Sequence, residues 1–274
     1  MIFKSLACGK LGCWHPYCYI SGQMDIGIYQ SAASLTSLER WQDAVAQNIT
    51  SGQVTGYRKR TVEFSGTTAG GWQTDSSSQA DTDPNLSAVF PTTTNGVSFT
   101  SGETQPTGRN LDVAIQGEGF FEVQMPDGTH AYTRSGEFTT RADRTLINTA
   151  NEEVLSDGGS PIVLPLPTDS SKITINPDGS IVQGSTTIAR LSIQKFSNQA
   201  DLAPVSGGQF IANPGADPEP VAKPQLLQGY LEASNVSPLT EMVNLVQISR
   251  AYDANQHVIT STDKQNQKEL DELG

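Results

Sequence analysis

Three cysteines and three histidines are the side chains in this 274-residue sequence best suited to bind a metal ion. Cys8, Cys13 and Cys18 lie in the first 20 residues, and His15 stands between the last two. Zinc prefers thiolate and imidazole ligands, but its sites combine one closely spaced pair with a second pair elsewhere. Four residues separate each cysteine from the next and no second pair follows, so an unstructured tail is favoured over a metal site.

Catalytic chemistry has few candidate side chains in the rest of the sequence. His130 follows a tight turn and His257 lies in a helical pattern, so both are predicted to be surface residues. A hydrolase would have to use residues such as Asp127, Glu137 or His130. Their order suggests no nucleophile–base arrangement, so we predict no enzyme activity, no catalytic residues and no cofactor.

Two short motifs begin like ligand-binding loops but are incomplete. Asp81–Asp83 starts like a calcium loop, but Pro84 follows, and the mid-loop glycine and final glutamate are missing. Gly117–Gly119 has neither a third glycine nor a following helix, so it does not predict phosphate binding. Neither motif therefore indicates a bound metal ion or nucleotide.

The charge of the chain excludes further classes of partner. The formal net charge is −12 at pH 7, whereas nucleic-acid binding needs a concentrated basic surface. The only basic cluster, Arg58–Arg60, stands beside a predicted helix end, where a solvated turn is the favoured interpretation. No run of 18 or more apolar residues occurs, so we predict no membrane insertion.

Residues 1–23 differ in character from the sequence that follows. They contain Lys4, Lys10 and all three cysteines, but no acidic residue. Lys10 breaks the apolar stretch and no small-residue cleavage site follows, so a cleaved signal peptide is not predicted. We expect residues 1–23 to be a disordered or non-native extension, with Met24 as the natural start.

Two segments near the chain ends have the apolar spacing of amphipathic helices. The first is expected within residues 24–56, with an apolar seam formed by Ile28, Leu35, Leu38, Val45, Asn48 and Ile49. The second is expected within residues 237–274, after a Ser-Pro start signal, with a seam formed by Met242, Leu245, Tyr252, Ile259 and Leu270. Polar residues interrupt both seams, so each helix is expected to need the other or a neighbouring subunit for stability.

The sequence between the helices predicts a β-rich middle. Residues 57–110 are expected to form an extended Ser-, Thr- and Gly-rich arm with one strand near Val97–Thr100. Residues 111–212 carry short apolar segments separated by turn signals such as Pro126–Gly128 and Pro177–Gly179, which predict a compact β domain. Residues 213–236 are expected to form a Pro-rich connector.

The fold class is therefore predicted to be α+β, with long N- and C-terminal helices flanking an inserted, compact, mainly-β domain. The strands predicted in that domain are Asp112–Ile115, Phe120–Gln124, Ala131–Arg134, Glu137–Thr140, Ile162–Leu164, Lys172–Ile175 and Ile188–Phe196. Strands this short and closely spaced, without helices between them, are typical of a separate β domain.

In three places the sequence resembles the flagellar basal-body rod and hook proteins. The segment Leu227–Asp263 is similar to the C-terminal signature of that family at Gly229, Asn235, Val236, Glu241, Arg250 and Asn255. The segments NLDVAIQGEGFFEV and DGTHAYTRSGEF resemble its central domain at Gly117, Gly119, Phe120, Phe121, Tyr132, Arg134 and Gly136. The third resemblance, through Ala46–Ile49 and Thr55–Arg58, covers less of the pattern.

Two positions depart from the pattern of that family. Arg144 and Asn151 stand where the family usually places glycine. Asparagine tolerates a left-handed backbone, so Asn151 is expected to be harmless. Arginine does so less readily, so Arg144 predicts a changed turn.

The resemblance implies a structural subunit of the flagellar rod that polymerises through its terminal helices into a coiled-coil tube, with the β domain outside. Its implied partners are copies of itself, other rod and hook proteins, and the flagellar export apparatus. The resemblance also implies export without a cleaved signal peptide and a place in the periplasmic rod of the basal body.

The family has several members, and the sequence favours one. Met24–Tyr29 and Asp157–Pro165 look more like the proximal rod protein, whereas Gly117–Phe121 and the medium-length arm also suit the distal one. The proximal member is favoured over the distal rod or hook member. A secreted β-domain binding module, such as an adhesin, is the alternative from another class, and it predicts terminal helices that are ordered in an isolated monomer.

Overall fold

The computed structural model describes residues 26–71, 87–165 and 172–273. The cysteine-containing extension and Asp81–Asp83 lie outside the described residues. Helix α1 spans Ile26–Thr50 and helix α2 spans Pro238–Leu273. The strands between them are β1 Arg60–Gly71, β2 Ser87–Val97, β3 Thr104–Pro106, β4 Val113–Gln116, β5 Phe120–Gln124, β6 His130–Thr133, β7 Phe138–Thr140, β8 Leu146–Asn148, β9 Glu153–Val154, β10 Ile173–Ile175, β11 Ser180–Gln183, β12 Thr186–Arg190, β13 Ile193–Phe196, β14 Leu202–Pro204, β15 Gln209–Ala212, β16 Pro218–Pro220, β17 Gln225–Gln228 and β18 Tyr230–Glu232.

The two terminal helices confirm the predicted α+β class at the level of its elements. Ser237 precedes α2, and its carbonyl oxygen accepts from the Glu241 N–H at 3.1 Å. Pro238 fits the first turn because an N–H there would have no partner within the helix. Helix α1 ends at Thr50, and the chain then turns through Gly56, which has a φ of +69°.

Much of the predicted arm is a long antiparallel hairpin. Strand β1 pairs with β2 from Arg60 opposite Val97 to Gly71 opposite Ser87. The strand predicted near residues 97–100 was misplaced, because β2 ends at Val97. The Ser- and Thr-rich composition suggested a linker, but alternating side chains can still form a pleated pair when another element covers one face.

Helix α1 covers one face of the β1–β2 hairpin. The Trp41 and Phe64 rings pack edge to face with centroids 5.6 Å apart, and the Gln30 side-chain amide donates to the Val89 carbonyl at 3.2 Å. On the opposite face, Ser65 and Thr92 hydroxyls form a hydrogen bond of 2.9 Å. The hairpin is therefore amphipathic and packs alongside the helix.

The β domain is built around β5, which has the predicted bounds. Among the described residues, a nine-stranded sheet has the main path β14-β15-β6-β5-β9-β8-β7, with β13 pairing to β5 and β16 pairing to β13. Both predicted Pro-Asp-Gly turns are present, between β5 and β6 and between β10 and β11. Their glycines, Gly128 and Gly179, have positive φ angles, as such turns require.

Several strand predictions need correction. The predicted strand Ile162–Leu164 makes only isolated bridges, and the predicted strand Ile188–Phe196 divides into β12 and β13. The predicted connector, residues 213–236, contains β16, β17 and β18. Strand β17 pairs with β4, and β18 pairs with β3. These pairings join segments more than a hundred residues apart, so local composition does not reveal them.

The main core lies inside the β domain. Phe121 and Phe138 are fully buried and pack edge to face at 5.2 Å. The buried members of this core are Val113, Ile115, Phe121, Val123, Ala131, Phe138, Leu146, Val154, Ile162, Leu164, Ile175, Ile181, Leu191, Ile193 and Leu226. Leu226 belongs to the predicted connector, so that segment is part of the domain.

The turn at Arg144 keeps the left-handed backbone, so the predicted change of turn was wrong. Arg144 has a φ of +71° and Asn151 a φ of +66°. The Arg144 side chain donates from Nε to the Leu164 carbonyl at 2.6 Å, and from its guanidinium to the Pro165 carbonyl. These bonds help offset the backbone strain of a non-glycine residue in this region.

Tyr132 makes the stability of the β domain sensitive to high pH. It packs with Phe120, Leu202 and Phe210 in a second apolar cluster. Burial, assisted by the negative charge of Glu122, raises the pKa of Tyr132 from its usual value of 10.0 to about 12. Above pH 10 the unfolded chain therefore loses the phenolic proton while the folded chain keeps it, so stability falls as pH rises towards 12.

Replacement of Tyr132 by Phe should remove this sensitivity. Between pH 10 and 11, the wild type should lose roughly 1 kcal/mol more unfolding free energy than Tyr132→Phe. Urea unfolding at each pH measures the difference, and exposed Tyr29 provides the control variant Tyr29→Phe. Parallel pH profiles for the wild type and Tyr132→Phe would contradict the prediction.

Candidate assembly site

The terminal helices pack against each other in antiparallel orientation. The end of α1 lies beside the start of α2, and later turns of α2 contact earlier turns of α1. Leu38, Val45 and Ile248 are the buried members of this contact. Trp41, Ile49, Ala251 and Tyr252 are partly buried around them. The helix pair therefore has a small apolar core of its own.

The predicted α1 seam lies mostly in protected positions. Leu38, Val45 and Asn48 are buried, whereas Ile28, Leu35 and Ile49 are half-buried. The burial of Asn48 depends on hydrogen bonds to backbone and side-chain groups, described below.

The predicted α2 seam divides between two sides of the helix. Tyr252 and Ile259 are half-buried, whereas Met242, Leu245 and Leu270 are exposed. Sequence reasoning missed Ile248, the most buried apolar residue of this helix. Its signal in the sequence is the seven-residue spacing Glu241–Ile248–Asn255, in which two of the three residues are polar.

A second apolar face of α2 points away from α1. Leu239, Met242, Val243 and Val246 follow i, i+3, i+4, i+7 spacing and are 76%, 51%, 52% and 52% exposed. At 100° per residue they lie opposite Glu241 and Ile248. No charged residue occurs from Met242 to Ser249. We call these four residues the outer α2 face.

Polar residues connect the C-terminal end of α1 and the N-terminal end of α2 to the β domain. We call this group the junction, and it consists of Asn48, Arg58, Lys59, Arg134, Glu232, Asn235 and Glu241. Most of these side chains are nearly inaccessible to solvent. A buried polar group is costly unless its bonding capacity is satisfied, so the geometry of the group is strongly constrained.

Asn48 and Glu241 hold the two helices together at the junction. The Asn48 side chain accepts from the Arg60 N–H and donates to the Arg60 carbonyl, both at 2.8 Å. Its amide also donates to Glu241 Oε2 at 3.5 Å. Lys59 Nζ lies 2.5 Å from Glu241 Oε1. A carboxylate near a helix N-terminus is favoured by the helix dipole, and here it also receives a lysine.

Glu232 binds two arginines, so the Arg58–Arg60 cluster is not the solvated turn that was predicted. Arg58 Nη2 lies 2.9 Å from Glu232 Oε1, and Arg134 Nη1 lies 3.3 Å from Oε2. Burial lowers the pKa of both Arg58 and Arg134, and Glu232 acts in the opposite direction. The Arg134 guanidinium also lies over the Phe120 ring, 5.3 Å from its centroid.

Asn235 connects the same segments through their backbones. Its Oδ1 accepts from the Lys59 N–H at 2.7 Å, and its Nδ2 donates to the Ser98 and Thr100 carbonyls at 2.9 Å each. The start of β1, the end of the hairpin and the approach to α2 are thus joined at one side chain.

The structure groups the other signature residues by location. The aromatic members lie in the apolar clusters of the β domain: Phe120, Phe121 and Tyr132. The glycines with positive φ lie in turns: Gly117, Gly119 and Gly229. Gly136 lies against the Val113 backbone, and Val236 is buried beside the junction. Arg250 is exposed and Asn255 half-buried on α2.

The residues considered for catalysis are used in local contacts. Asp127 accepts from the Thr129 N–H in its turn, and Glu137 pairs with Arg109 at 2.9 Å. His130 Nδ1 lies 2.6 Å from Glu122. Within the described residues, no three His, Cys, Asp or Glu side chains form a group that could hold a metal ion. None of the described helices is both long and apolar enough to span a membrane.

Comparison with protein families gives two matches. Residues 114–183 match the flagellar hook protein FlgE/F/G D1 domain, and residues 227–272 match the C-terminal region of flagellar basal body rod FlgEFG proteins. The first covers β4 to β11 and the second most of β17 to α2.

Individual relatives align over most of their length. The flagellar basal-body rod protein FlgF of Caulobacter vibrioides is 31% identical over 253 residues, covering 92% of this chain and 99% of the relative. The rod protein FlgG of Agrobacterium fabrum is 31% identical over 254 residues, covering 85% and 92%. FlgF of Rhizobium meliloti is 29% identical, covering 92% and 99%.

Proposed function

Because this chain belongs to the family of flagellar basal-body rod proteins, we propose that it polymerises through its terminal helices, using the outer α2 face as a subunit contact. The chain is a structural subunit of the rod, and its family is not enzymatic. It assembles with rod and hook proteins. An adhesin is not favoured, because the rod-protein similarity extends over 92% of the chain.

The single observation that carries the assembly proposal is the outer α2 face. Leu239, Met242, Val243 and Val246 are apolar yet exposed, although α1 covers the opposite side of the same helix. An uncharged apolar stripe is typical of the centre of a subunit interface, from which charged residues are depleted. A neighbouring subunit bound to this face would bury it and would add to the apolar surface that the helix pair buries.

The small core of the helix pair supports the same proposal. Leu38, Val45 and Ile248 are the only buried members of its apolar core among the described residues. A helix of 36 residues needs more tertiary packing than this to stay ordered along its length. We therefore propose that neighbouring subunits complete the packing and produce a coiled-coil tube. A contact between different faces of identical subunits extends into a filament when the rotation between neighbours does not close a ring.

We propose that this chain is the FlgF-type member of the family. Alignments cover 99% of FlgF from Caulobacter vibrioides and from Rhizobium meliloti, against 92% of FlgG from Agrobacterium fabrum. Rescue of swimming in a strain that lacks FlgF, but not in one that lacks FlgG, is the expected result. Passage through the flagellar export apparatus without a cleaved signal peptide, and a place in the proximal, periplasmic rod, stay predictions.

The outer α2 face can be tested with a matched pair of double variants. Val243→Gln with Val246→Gln should abolish swimming and remove the subunit from purified basal bodies. Two buried valines contribute roughly 3 kcal/mol or more, so their loss should weaken subunit binding about a hundredfold. The control, Val258→Gln with Val163→Gln, changes two exposed valines outside the face.

Export and melting temperature should be unchanged in both double variants, because all four valines are exposed in the isolated chain. Normal swimming and normal incorporation of the Val243/Val246 variant would eliminate this face as a subunit contact. An equal loss with the control variant would show that the contact is not specific to the outer α2 face.

A further inference from the structure

Several connections between the helix pair, the segment after the hairpin and the β domain meet at Glu232. Arg58 lies just after α1, and Arg134 follows β6 in the β domain. Glu232 itself ends β18, six residues before α2 begins. The three side chains are 1%, 5% and 2% exposed. They bring together parts of the chain separated by up to 174 positions.

Backbone contacts surround the same carboxylate. The Gly56 N–H donates to the Glu232 carbonyl at 2.8 Å, and the Gly102 N–H donates to Glu232 Oε1 at 2.9 Å. Gly56 lies so close to the β domain that an added Cβ would stand 2.4 Å from the Arg134 carbonyl carbon. The segments that follow α1 and β2 are therefore both held at Glu232.

The charges make this arrangement dependent on one residue. Two guanidinium groups share one carboxylate, one arginine on each oxygen. Their Nε atoms are buried and have no hydrogen-bond partner within the described part of the chain. Without the carboxylate, two buried cations would repel each other, and relief would require the segments that carry them to separate.

We propose that Glu232 is a positioning residue, which fixes the orientation of the β domain relative to the helix pair by holding Arg58 and Arg134 on its two oxygens. In the rod, this would give one fixed angle between the outer α2 face and the β-domain surface, a consequence that rests on the proposed function. The orientation within a single chain does not depend on the proposed function. A rod built from helically arranged subunits needs that angle to be the same in each copy.

The experiment measures the orientation directly in the full-length chain. Spin labels are attached to Gln247→Cys on α2 and Val163→Cys in the β domain, with the three native cysteines replaced by serine. Both label positions are exposed. Double electron–electron resonance spectroscopy should give one narrow distribution of the distance between the labels in this parent chain. The Glu232→Gln substitution should at least double the width of that distribution or shift its centre.

The matched control separates positioning from ordinary loss of stability. Glu122→Gln makes the same substitution at a buried carboxylate inside the β domain, where Ser192 donates to Oε2 at 2.5 Å. It should lower the melting temperature while leaving the distance distribution unchanged. Arg58→Lys keeps the charge and should broaden the distribution less, so it provides the measurement if Glu232→Gln does not fold.

A distribution in Glu232→Gln that superposes on the parent would overturn the proposal, as would equal broadening in Glu122→Gln. If Glu232→Gln does not fold, an unchanged distribution in Arg58→Lys would overturn it as well. Failure of the Val243/Val246 swimming test would remove the proposed subunit contact and leave this distance result intact. The two proposals can therefore fail separately.

Discussion

Replacement of Gly136 by alanine should severely destabilise the β domain. A Cβ at this position would lie 1.7 Å from the Val113 carbonyl oxygen and 2.8 Å from its carbon. Both are backbone atoms of β4, and the Val113 N–H also donates to the Gly136 carbonyl at 3.1 Å. The methyl group can be accommodated only if these segments move apart, which breaks that bond and opens the core beside Phe121.

The expected cost exceeds about 4 kcal/mol, because rigid backbone cannot relax around the new atom as a flexible side chain can. Typical domains have only 5–15 kcal/mol of stability, so Gly136→Ala should be insoluble or unfold at low denaturant concentration. Urea titration followed by circular dichroism measures the change in unfolding free energy.

Gly158→Ala is the matched control for this substitution. The atoms nearest to its added Cβ would be 3.9 and 4.0 Å away, which is ordinary van der Waals contact. Its stability should stay within about 0.5 kcal/mol of the wild type. If Gly136→Ala is as stable as Gly158→Ala, the close approach of Gly136 to Val113 does not exist in the folded protein.

Replacement of Ile248 by alanine should separate the two terminal helices. Ile248 is 1% exposed and packs in one apolar cluster with Leu38 and Val45. Loss of a buried isoleucine to alanine costs about 2–5 kcal/mol, and the helix pair has little other apolar packing to retain its order. Amide protection in the packed turns of the two helices, residues 38–49 and 241–252, should therefore be lost while the β domain stays protected, and swimming should be lost.

Met242→Ala distinguishes the observed contact from the predicted seam. Met242 was predicted to lie in the seam, but it is 51% exposed on the outer α2 face. In the isolated chain its replacement should change amide protection little, whereas in the rod it should weaken assembly. Equal loss of helix protection in Met242→Ala and Ile248→Ala would show that α2 packs on α1 in the predicted register.

Local signals were sufficient to locate the two helices and several strands. Ser237 and Pro238 mark the start of α2 because capping is decided within one turn. The turn at Pro126–Gly128 is equally local, and the apolar run before it predicted β5 with its correct bounds. Family resemblance added Glu241, Arg134 and Asn235 as important positions, but it did not say what they contact.

Contacts between distant segments were not readable from the sequence. The hairpin β1–β2 was predicted to be an extended arm because its strands are rich in Ser and Thr, and its contact with α1 is not visible in the local sequence. Strands β17 and β18 looked like connector because their partners lie more than a hundred residues earlier. Pairing of this kind depends on chain topology, which composition does not encode.

Burial of charge was the other feature that required the tertiary structure. Arg58 and Glu232 are individually ordinary surface residue types, and neither has a partner nearby in sequence. Folding places them 2.9 Å apart with almost no solvent access. The apolar periodicity of α2 likewise predicted the wrong packing face. The carboxylate of Glu241 occupies a position on the true packing face, where Lys59 and Asn48 stabilise it. Hydrophobic patterns predict which positions prefer to avoid water, whereas an ion pair is buried only when a distant partner arrives to neutralise it.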